Sequence, residues 1–233
     1  MQQPSIIILA GGLGTRLRTV VSDLPKCMAP VNGKPFLAYV VDHFIHQGIT
    51  NFIFSLGYKH EVIIEYLSQF TIHHSPFTIH YSLEEEPLGT GGAIKKACAL
   101  ASNKNVFVTN GDTLFKASVS SLQDLHMEKD AECTLALKPM KNFDRYGVIE
   151  LNDNASVKNF HEKKHYQQGL INGGLYMLKI ESFLKKSLPE KFSFETDYLE
   201  KFYTQTSMYG LVQDEYFIDI GIPEDYARAQ SEL

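Results

Sequence analysis

The feature that most constrains the fold of this chain is a short apolar run, Ile6-Ile7-Ile8-Leu9, that ends at once in Ala10-Gly11-Gly12-Leu13-Gly14-Thr15-Arg16-Leu17. A continuous apolar run bounded by glycines reads as a strand buried on both faces of a parallel sheet, followed by a tight loop. The pattern then repeats. Phe36, Val40, Phe44 and Ile45 recur at helical spacing, with Gly48 as the stop. Asn51–Leu56 is a second strand, Val62, Ile63, Tyr66 and Leu67 mark a helix, and Thr78–Leu83 is a third strand. A helix over Gly91–Ala101 and a strand over Asn105–Thr109 complete four alternations. That order predicts a parallel, doubly wound sheet.

The second half has a different texture. Ala131–Lys138, Tyr146–Leu151, Ser156–His161 and Gly169–Lys179 are strand-like with short links, and Phe194–Phe202 and Glu224–Gln230 have helical spacing. This half is expected to be antiparallel or mixed and to form a lid on the first. No linker, repeat or low-complexity tract divides the sequence. The expectation is a single domain over residues 1–233, with halves of about 1–115 and 116–233.

The glycines after the first strand let backbone N–H groups approach phosphate oxygens with no Cβ in the way, and Arg16 adds a planar cation that can grip two of those oxygens. A tight strand–helix turn would use the same glycines. Two better-known nucleotide motifs are excluded: a Walker A loop needs Gly-Lys-Ser/Thr where Gly14-Thr15-Arg16 stands, and the dinucleotide fingerprint needs a third glycine where Leu17 stands. Pro25-Lys26-Cys27-Met28-Ala29-Pro30 presents a second cation on a stiffened loop, near the carboxyl end of the first strand, where α/β proteins bind ligands. Cys27, beside that lysine, is a candidate for a lowered thiol pKa.

Composition removes several function classes. With 44% hydrophobic and 21% charged residues the chain has an ordinary globular make-up, and its net charge of −5 carries no basic stretch of the kind nucleic acid demands. The three cysteines, Cys27, Cys98 and Cys133, are widely spaced, which fits a reducing cytoplasm better than a disulfide framework or a zinc site. No membrane span or signal peptide is legible. His73, His74 and His80 lack ligand spacing and read as surface histidines.

Several segments together resemble the sugar-1-phosphate nucleotidyltransferase family: Gly11–Leu17 with Pro25-Lys26 and Pro30, Glu86-Pro87-Leu88-Gly89-Thr90-Gly91-Gly92-Ala93, Asn110-Gly111-Asp112, Glu162-Lys163 and Asn172-Gly173-Gly174. The likeness spans the whole chain. A closer likeness, to members that join GTP to a heptose 1-phosphate, is carried by Phe143–Gly147, Gln168–Gly174, Lys191–Glu195 and Tyr216–Gly221. The resemblance implies a Rossmann-like three-layer α/β/α sandwich with a mixed, mostly parallel sheet, the nucleotidyltransferase fold of glycosyltransferase-A-like type. It implies Arg16, Lys26, Asp112 and Lys163 as catalytic residues, and Asp112 and Asp219 as holders of Mg²⁺. It implies a nucleotide site of Leu9, Ala10, Gly11, Gly12, Gly14, Thr15, Arg16, Lys26, Glu84, Gly89, Thr90 and Gly111. The sugar site it implies is Tyr146, Gly147, Glu162, Lys163, Asn172, Gly173 and Glu195, with Asp144-Arg145 reaching toward a heptose side chain.

Chemistry supports that division. Attack by a sugar-phosphate oxygen on the α-phosphorus of a nucleoside triphosphate needs charge neutralisation and alignment, and an already ionised phosphate needs no strong base. Mg²⁺ takes one or two carboxylates plus phosphate oxygens and water. Guanine presents two N–H donors along one edge, which a carboxylate from Glu84, Glu85 or Glu86 suits. The partners expected are GTP and a heptose 1-phosphate, with no nucleic acid and no membrane; a homo-oligomer is compatible with the sequence. Open beside this stand mannose 1-phosphate with GTP, a hexose 1-phosphate with UTP or dTTP, and a non-catalytic nucleotide-sugar-binding subunit.

Overall fold

The computed structural model describes residues 4–12, 23–73 and 77–233. Its strands are β1 (Ile6–Leu9), β2 (Pro30–Val31), β3 (Lys34–Pro35), β4 (Asn51–Leu56), β5 (Thr78–Leu83), β6 (Asn105–Asn110), β7 (Thr113–Phe115), β8 (Cys133–Phe143), β9 (Val148–Leu151), β10 (Val157–His161), β11 (Tyr166–Lys179), β12 (Met208–Val212) and β13 (Phe217–Asp219). The α-helices are α1 (Phe36–His46), α2 (His60–His73), α3 (Gly89–Ala97), α4 (Val119–Glu128), α5 (Ile180–Leu184), α6 (Glu200–Phe202) and α7 (Pro223–Glu232), with a π-helix over Phe194–Leu199 running into α6.

Seven strands form one sheet in the order β12-β8-β11-β6-β1-β4-β5. β1 pairs in parallel with β4 and β6, β4 with β5, and β12 with β8. Only β11 runs against its neighbours in this sheet, antiparallel to both β6 and β8. The second half therefore does not sit on the first as a separate lid. Its strands β8, β11 and β12 extend the same sheet, and the pair β9–β10 stands apart from it.

The alternation of buried side chains explains the layers. Ile6, Ile8, Phe52, Phe54 and Phe107 turn to one face, where Phe36, Val40 and Phe44 of α1, Ile63 and Leu67 of α2, Leu122 of α4 and Ala229 of α7 cover them. Ile7, Ile53, Val106 and Val108 turn to the other, against Ile94 and Ala97 of α3, Phe183 of α5 and Phe194 and Tyr198 of the π-helix. A sheet buried on both faces needs the continuous apolar strands seen in the sequence. The outcome is the expected α/β/α sandwich with a mixed, mostly parallel sheet. Among the described residues no helix is long and apolar enough to cross a membrane.

Two local features place the site. β11 shifts register against β8 between Asn172 and Tyr176, and Gly174 there has φ +73°. Such a bulge re-aims the strand. It also lets Phe115 pack where a Cβ on Gly173 would come within 2.4 Å of its ring. Separately, β7 and β13 form a short antiparallel ribbon in which Asp219 pairs with Thr113, next to Asp112.

Candidate active site

The carboxyl ends of β1 and β6 and the segment that follows β5 open onto a cavity of about 390 Å³ walled by Leu9, Gly11, Gly12, Glu84, Gly89 and Thr90 among others. A second cavity, of about 490 Å³, opens beside it and is lined by Tyr146, Gly147, Glu162, Lys163, Asn172 and Gly173 together with Lys26 and Asp219. Asn110, Asp112 and Glu195 belong to both walls. Of the residues expected to bind nucleotide, Leu9, Gly11, Gly12, Glu84, Gly89 and Thr90 line the first hollow and Lys26 the second; the seven expected to bind sugar line the second, with Glu195 in both.

At that border Lys26 ion-pairs with Asp112 and lies 3.5 Å from Oδ1 of Asp219. Burial opposes the charge on Lys26, but the two carboxylates outweigh it and hold its pKa above the ordinary value. Asp219 is pushed the opposite way for an acid. Burial and the charge of Asp112 raise its pKa, and Lys26, the Gly221 N–H and Arg145 only partly offset this. The Gly221 N–H donates to Asp219 Oδ1 at 2.8 Å, and a Cβ at Gly221 would lie 3.0 Å from Lys26 Nζ. Tyr146 OH makes a long contact, 3.5 Å, with Asp219 Oδ2 and packs edge-on against Phe217. Burial, with the nearby Asp219 charge, raises the Tyr146 phenol pKa, so it stays protonated.

On the nucleotide side, Glu84 is pinned by two donors: Ser55 Oγ to Oε1 at 3.2 Å and the Leu88 N–H to Oε2 at 3.0 Å. Glu85 and Glu86 are exposed and line neither cavity. Ala10 is in the core, and Gly111 packs with its N–H on Leu9 O at 2.8 Å, so neither reaches the cavity wall. Gly14, Thr15 and Arg16 lie outside the described residues, as do His74 and the side chain of His73.

On the sugar side, Asn172 is held at both ends of its amide: Nδ2 donates to Tyr176 OH at 2.7 Å and Oδ1 accepts from the Gly174 N–H at 3.0 Å. Glu162 and Lys163 are exposed at the rim. Arg145 does not face this cavity. It ion-pairs with Asp225 and approaches Asp219 at 3.9 Å, so its place is behind the carboxylates rather than beside a heptose side chain.

One sequence expectation is reversed. Cys27 is buried, and burial pushes its thiol up to about 12 despite the adjacent Lys26. Other residues of the site went unmarked. Ser193 lines the sugar-side cavity and caps the π-helix through Thr196 N–H at 3.2 Å. Its place in Ser193-Phe194-Glu195-Thr196, a hydroxyl just ahead of a helical run, was the available signal. Asn110 and Phe217, within Asn110-Gly111-Asp112 and Tyr216–Gly221, also line that cavity.

The comparisons agree with this geometry. The family model for nucleotidyl transferases matches residues 5–233. A D-glycero-alpha-D-manno-heptose 1-phosphate guanylyltransferase of Aneurinibacillus thermoaerophilus is 51% identical over 227 residues, 97% of each chain. One of the same name from Campylobacter jejuni is 46% identical over 220 residues, 94% of this chain and 96% of that one. The crystal structure of HddC from Yersinia pseudotuberculosis complexed with GMP-PN superposes with a TM-score of 0.88 at 36% identity, covering 99% of both chains. A solved structure described as a putative glucose-1-phosphate thymidylyltransferase from Bacillus anthracis, 19% identical with a TM-score of 0.81, shares the fold. With paired cavities at the strand ends and a family match running almost its full length, this chain belongs to the nucleotidyl transferase family and is an enzyme of that family.

Proposed function

We propose that this enzyme transfers the guanylyl group of GTP to D-glycero-α-D-manno-heptose 1-phosphate, giving GDP-heptose and pyrophosphate. The observation that carries the reading is the pair of cavities meeting at Asn110, Asp112 and Glu195. Two anionic substrates placed in them would react across that border. The heptose and guanine assignments rest on the two bacterial relatives of the same length.

In the reaction an oxygen of the sugar phosphate attacks the α-phosphorus, and the bond from that phosphorus to the bridging oxygen of pyrophosphate breaks. The attacking oxygen is already ionised, so the protein's task is to collect and align charge. Gly11 and Gly12 give backbone access to the phosphates on the nucleotide side. Glu84, fixed by Ser55 and Leu88, offers its remaining lone pairs to the guanine N–H edge. Lys26 lies at the border, where the phosphates of the two substrates meet, and Lys163 at the rim takes the sugar phosphate. Asn172, fixed at both ends, and Glu195 meet the sugar hydroxyls.

Asp112 and Asp219 fit a magnesium ion. They are hard oxygen donors whose charges already share a cation, Lys26, and the lack of a Cβ at Gly221 is what lets Asp219 Oδ1 and Lys26 Nζ pack there. Among the described residues no group of three or more His, Cys, Asp or Glu could hold a metal, so a carboxylate pair completed by phosphate oxygens and water is the remaining mode. When bound, such an ion supplies Lewis-acid neutralisation of phosphate charge.

Pyrophosphate release with Mg²⁺, crossing GTP, UTP, dTTP, CTP and ATP against heptose, mannose and glucose 1-phosphates, tests the proposal. Release is expected with GTP and D-glycero-α-D-manno-heptose 1-phosphate. Faster release with another pair would replace the substrate assignment.

A further inference from the structure

Thr90 sits in the nucleotide-side wall, and its resemblance-based role is contact with the nucleotide. Its hydroxyl is committed elsewhere. It donates to Oε2 of Glu195 at 2.8 Å and accepts from the Phe194 N–H at 2.8 Å. A threonine hydroxyl has a single proton, so this one has none left to give a ligand. Ser193 Oγ donates to the same Oε2 at 3.1 Å. Two hydroxyls therefore fasten one oxygen of Glu195, and among the described residues Oε1 has no hydrogen-bond partner. Glu195 also lines both cavities and lies in a π-helix, a rare form common at functional sites.

The backbone around this pair is anchored independently of the hydroxyl. Gly91 N–H donates to Phe192 O at 3.0 Å, and Phe192 N–H donates to Leu88 O at 3.0 Å. The first turn of α3 is thus laced to the segment that carries Glu195. Leu88 also gives its own N–H to Glu84 on the nucleotide side.

We propose that Thr90 is a positioning residue for the sugar site. Its hydroxyl fixes the Glu195 carboxylate so that the free Oε1 accepts from a hydroxyl of the sugar phosphate. The proposal deepens the functional reading above and rests on its placement of Glu195 beside the sugar. Thr90 thereby belongs by position to one cavity and by function to the other. A carboxylate held by one oxygen and free at the other is a directional acceptor. Without Thr90 it keeps its charge but loses its aim.

Four variants test this: Thr90→Val, Thr90→Ser, Glu195→Gln and the double variant Thr90→Val/Glu195→Gln. Steady-state KM is measured for heptose 1-phosphate, and calorimetry gives the affinity for a non-hydrolysable GTP analogue. Valine matches threonine in shape and leaves the Gly91–Phe192 and Phe192–Leu88 bonds in place; it also strips the Phe194 N–H of its acceptor, a loss that the melting curve reads. Thr90→Val is expected to raise KM for the sugar phosphate about tenfold, the size of one lost charge-assisted hydrogen bond, and to leave the analogue affinity within about twofold. Thr90→Ser is expected to stay close to wild type. The double variant is expected to be no worse than Glu195→Gln alone, because both changes break one unit. Weakened analogue binding in Thr90→Val with an unchanged sugar KM would overturn the proposal, as would multiplying effects in the double variant. An unaltered sugar KM in Glu195→Gln would overturn the placement of Glu195 itself, a separate failure. A melting curve for each variant shows whether it folds, and recovery by serine excludes a merely structural loss.

Discussion

Three glycines, two in the cavity wall and one in the β2–β3 turn, separate backbone strain from collision, and an alanine series tests both. At Gly12 a Cβ would meet no heavy atom within 4 Å among the described residues, and its φ lies outside the left-handed region. At Gly33 the surroundings are equally open but φ is +79°. At Gly89 φ is +71° and a Cβ would lie 2.5 Å from the carbonyl oxygen of Phe192. Holding alanine in the left-handed region costs about 1–2 kcal/mol, which is the whole expected cost of Gly33→Ala. Gly89→Ala adds the collision. The oxygen it strikes is backbone, fixed by the Gly91 N–H at 3.0 Å, and moving it forfeits that bond, about 1 kcal/mol more. The expected loss for Gly89→Ala is therefore about 2–3 kcal/mol, and Gly12→Ala should stay within about 0.5 kcal/mol of wild type. Equilibrium urea unfolding at constant m-value reads all three. The companion measurement is calorimetry with a GTP analogue, in which Gly12→Ala, though harmless to stability, should bind weakly because its methyl enters the phosphate side of the cavity. If Gly89→Ala proved no costlier than Gly33→Ala, the contact with Phe192 would not be what demands glycine there.

Other outcomes follow from the same geometry. Asp112→Asn should fold normally, since its side chain is at the border of the cavities and outside the core, yet lose pyrophosphate release by at least about a hundredfold; wild-type turnover would remove Asp112 from the catalytic set. His126 is 2% exposed, its Nδ1 lies 2.9 Å from Thr134 Oγ1, and burial, assisted by Lys179, lowers its pKa to about 4. The folded pKa is below the unfolded one, so stability present above pH 6.5 is lost as pH falls toward 4. The stake is about 3 kcal/mol at 1.36 kcal/mol per unit. Unfolding curves at pH 7 and pH 4 should show this slope flattened in His126→Gln, and an unchanged slope would contradict the buried neutral imidazole. All three cysteines are buried and free, with burial raising each thiol pKa. A thiol reagent at pH 8 should therefore find none in the native protein and all of them in urea; rapid labelling of Cys27 alone would show a reactive site after all.

In the first half β1, β4 and β6 were legible because they are largely apolar runs ended by glycine or asparagine, the pattern of a doubly covered parallel strand, while the edge strand β5 mixes polar and apolar residues and was legible by its place in the alternation. The second half was legible as strands but not as partners. Nothing in Gly169–Lys179 states that it inserts antiparallel between β6 and β8, since pairing is decided by surfaces distant in sequence. The helix expected over Phe194–Phe202 is present as a π-helix followed by α6, because buried Phe194, Tyr198 and Leu199 keep a helical spacing under either winding. Helix α4 carries polar residues among few apolar ones, and strand β12 is only five residues long, so neither has a clear signal in the sequence. In the site, Tyr146, Gly147, Glu162, Lys163, Asn172, Gly173 and Glu195 all line one cavity, whereas Asp144 and Arg145 do not. The bond between Thr90 and Glu195, 105 residues apart, has no sequence signature, and neither does the bridging of Asp112 and Asp219 by Lys26.

The ribbon of β7 and β13 also has a bearing on how the protein is made. Lys26 is 86 residues from Asp112 but 193 from Asp219, and the last of the three reaches its place only when β13 zips onto β7. A ribosome has synthesised the whole of β1 to β12 before that carboxylate exists. A growing chain can lay down the β1–β6 platform early and offer a nucleotide hollow, yet it cannot assemble the acidic pair. A chain that stops short of β13 keeps that hollow and lacks the contact between Lys26 and Asp219.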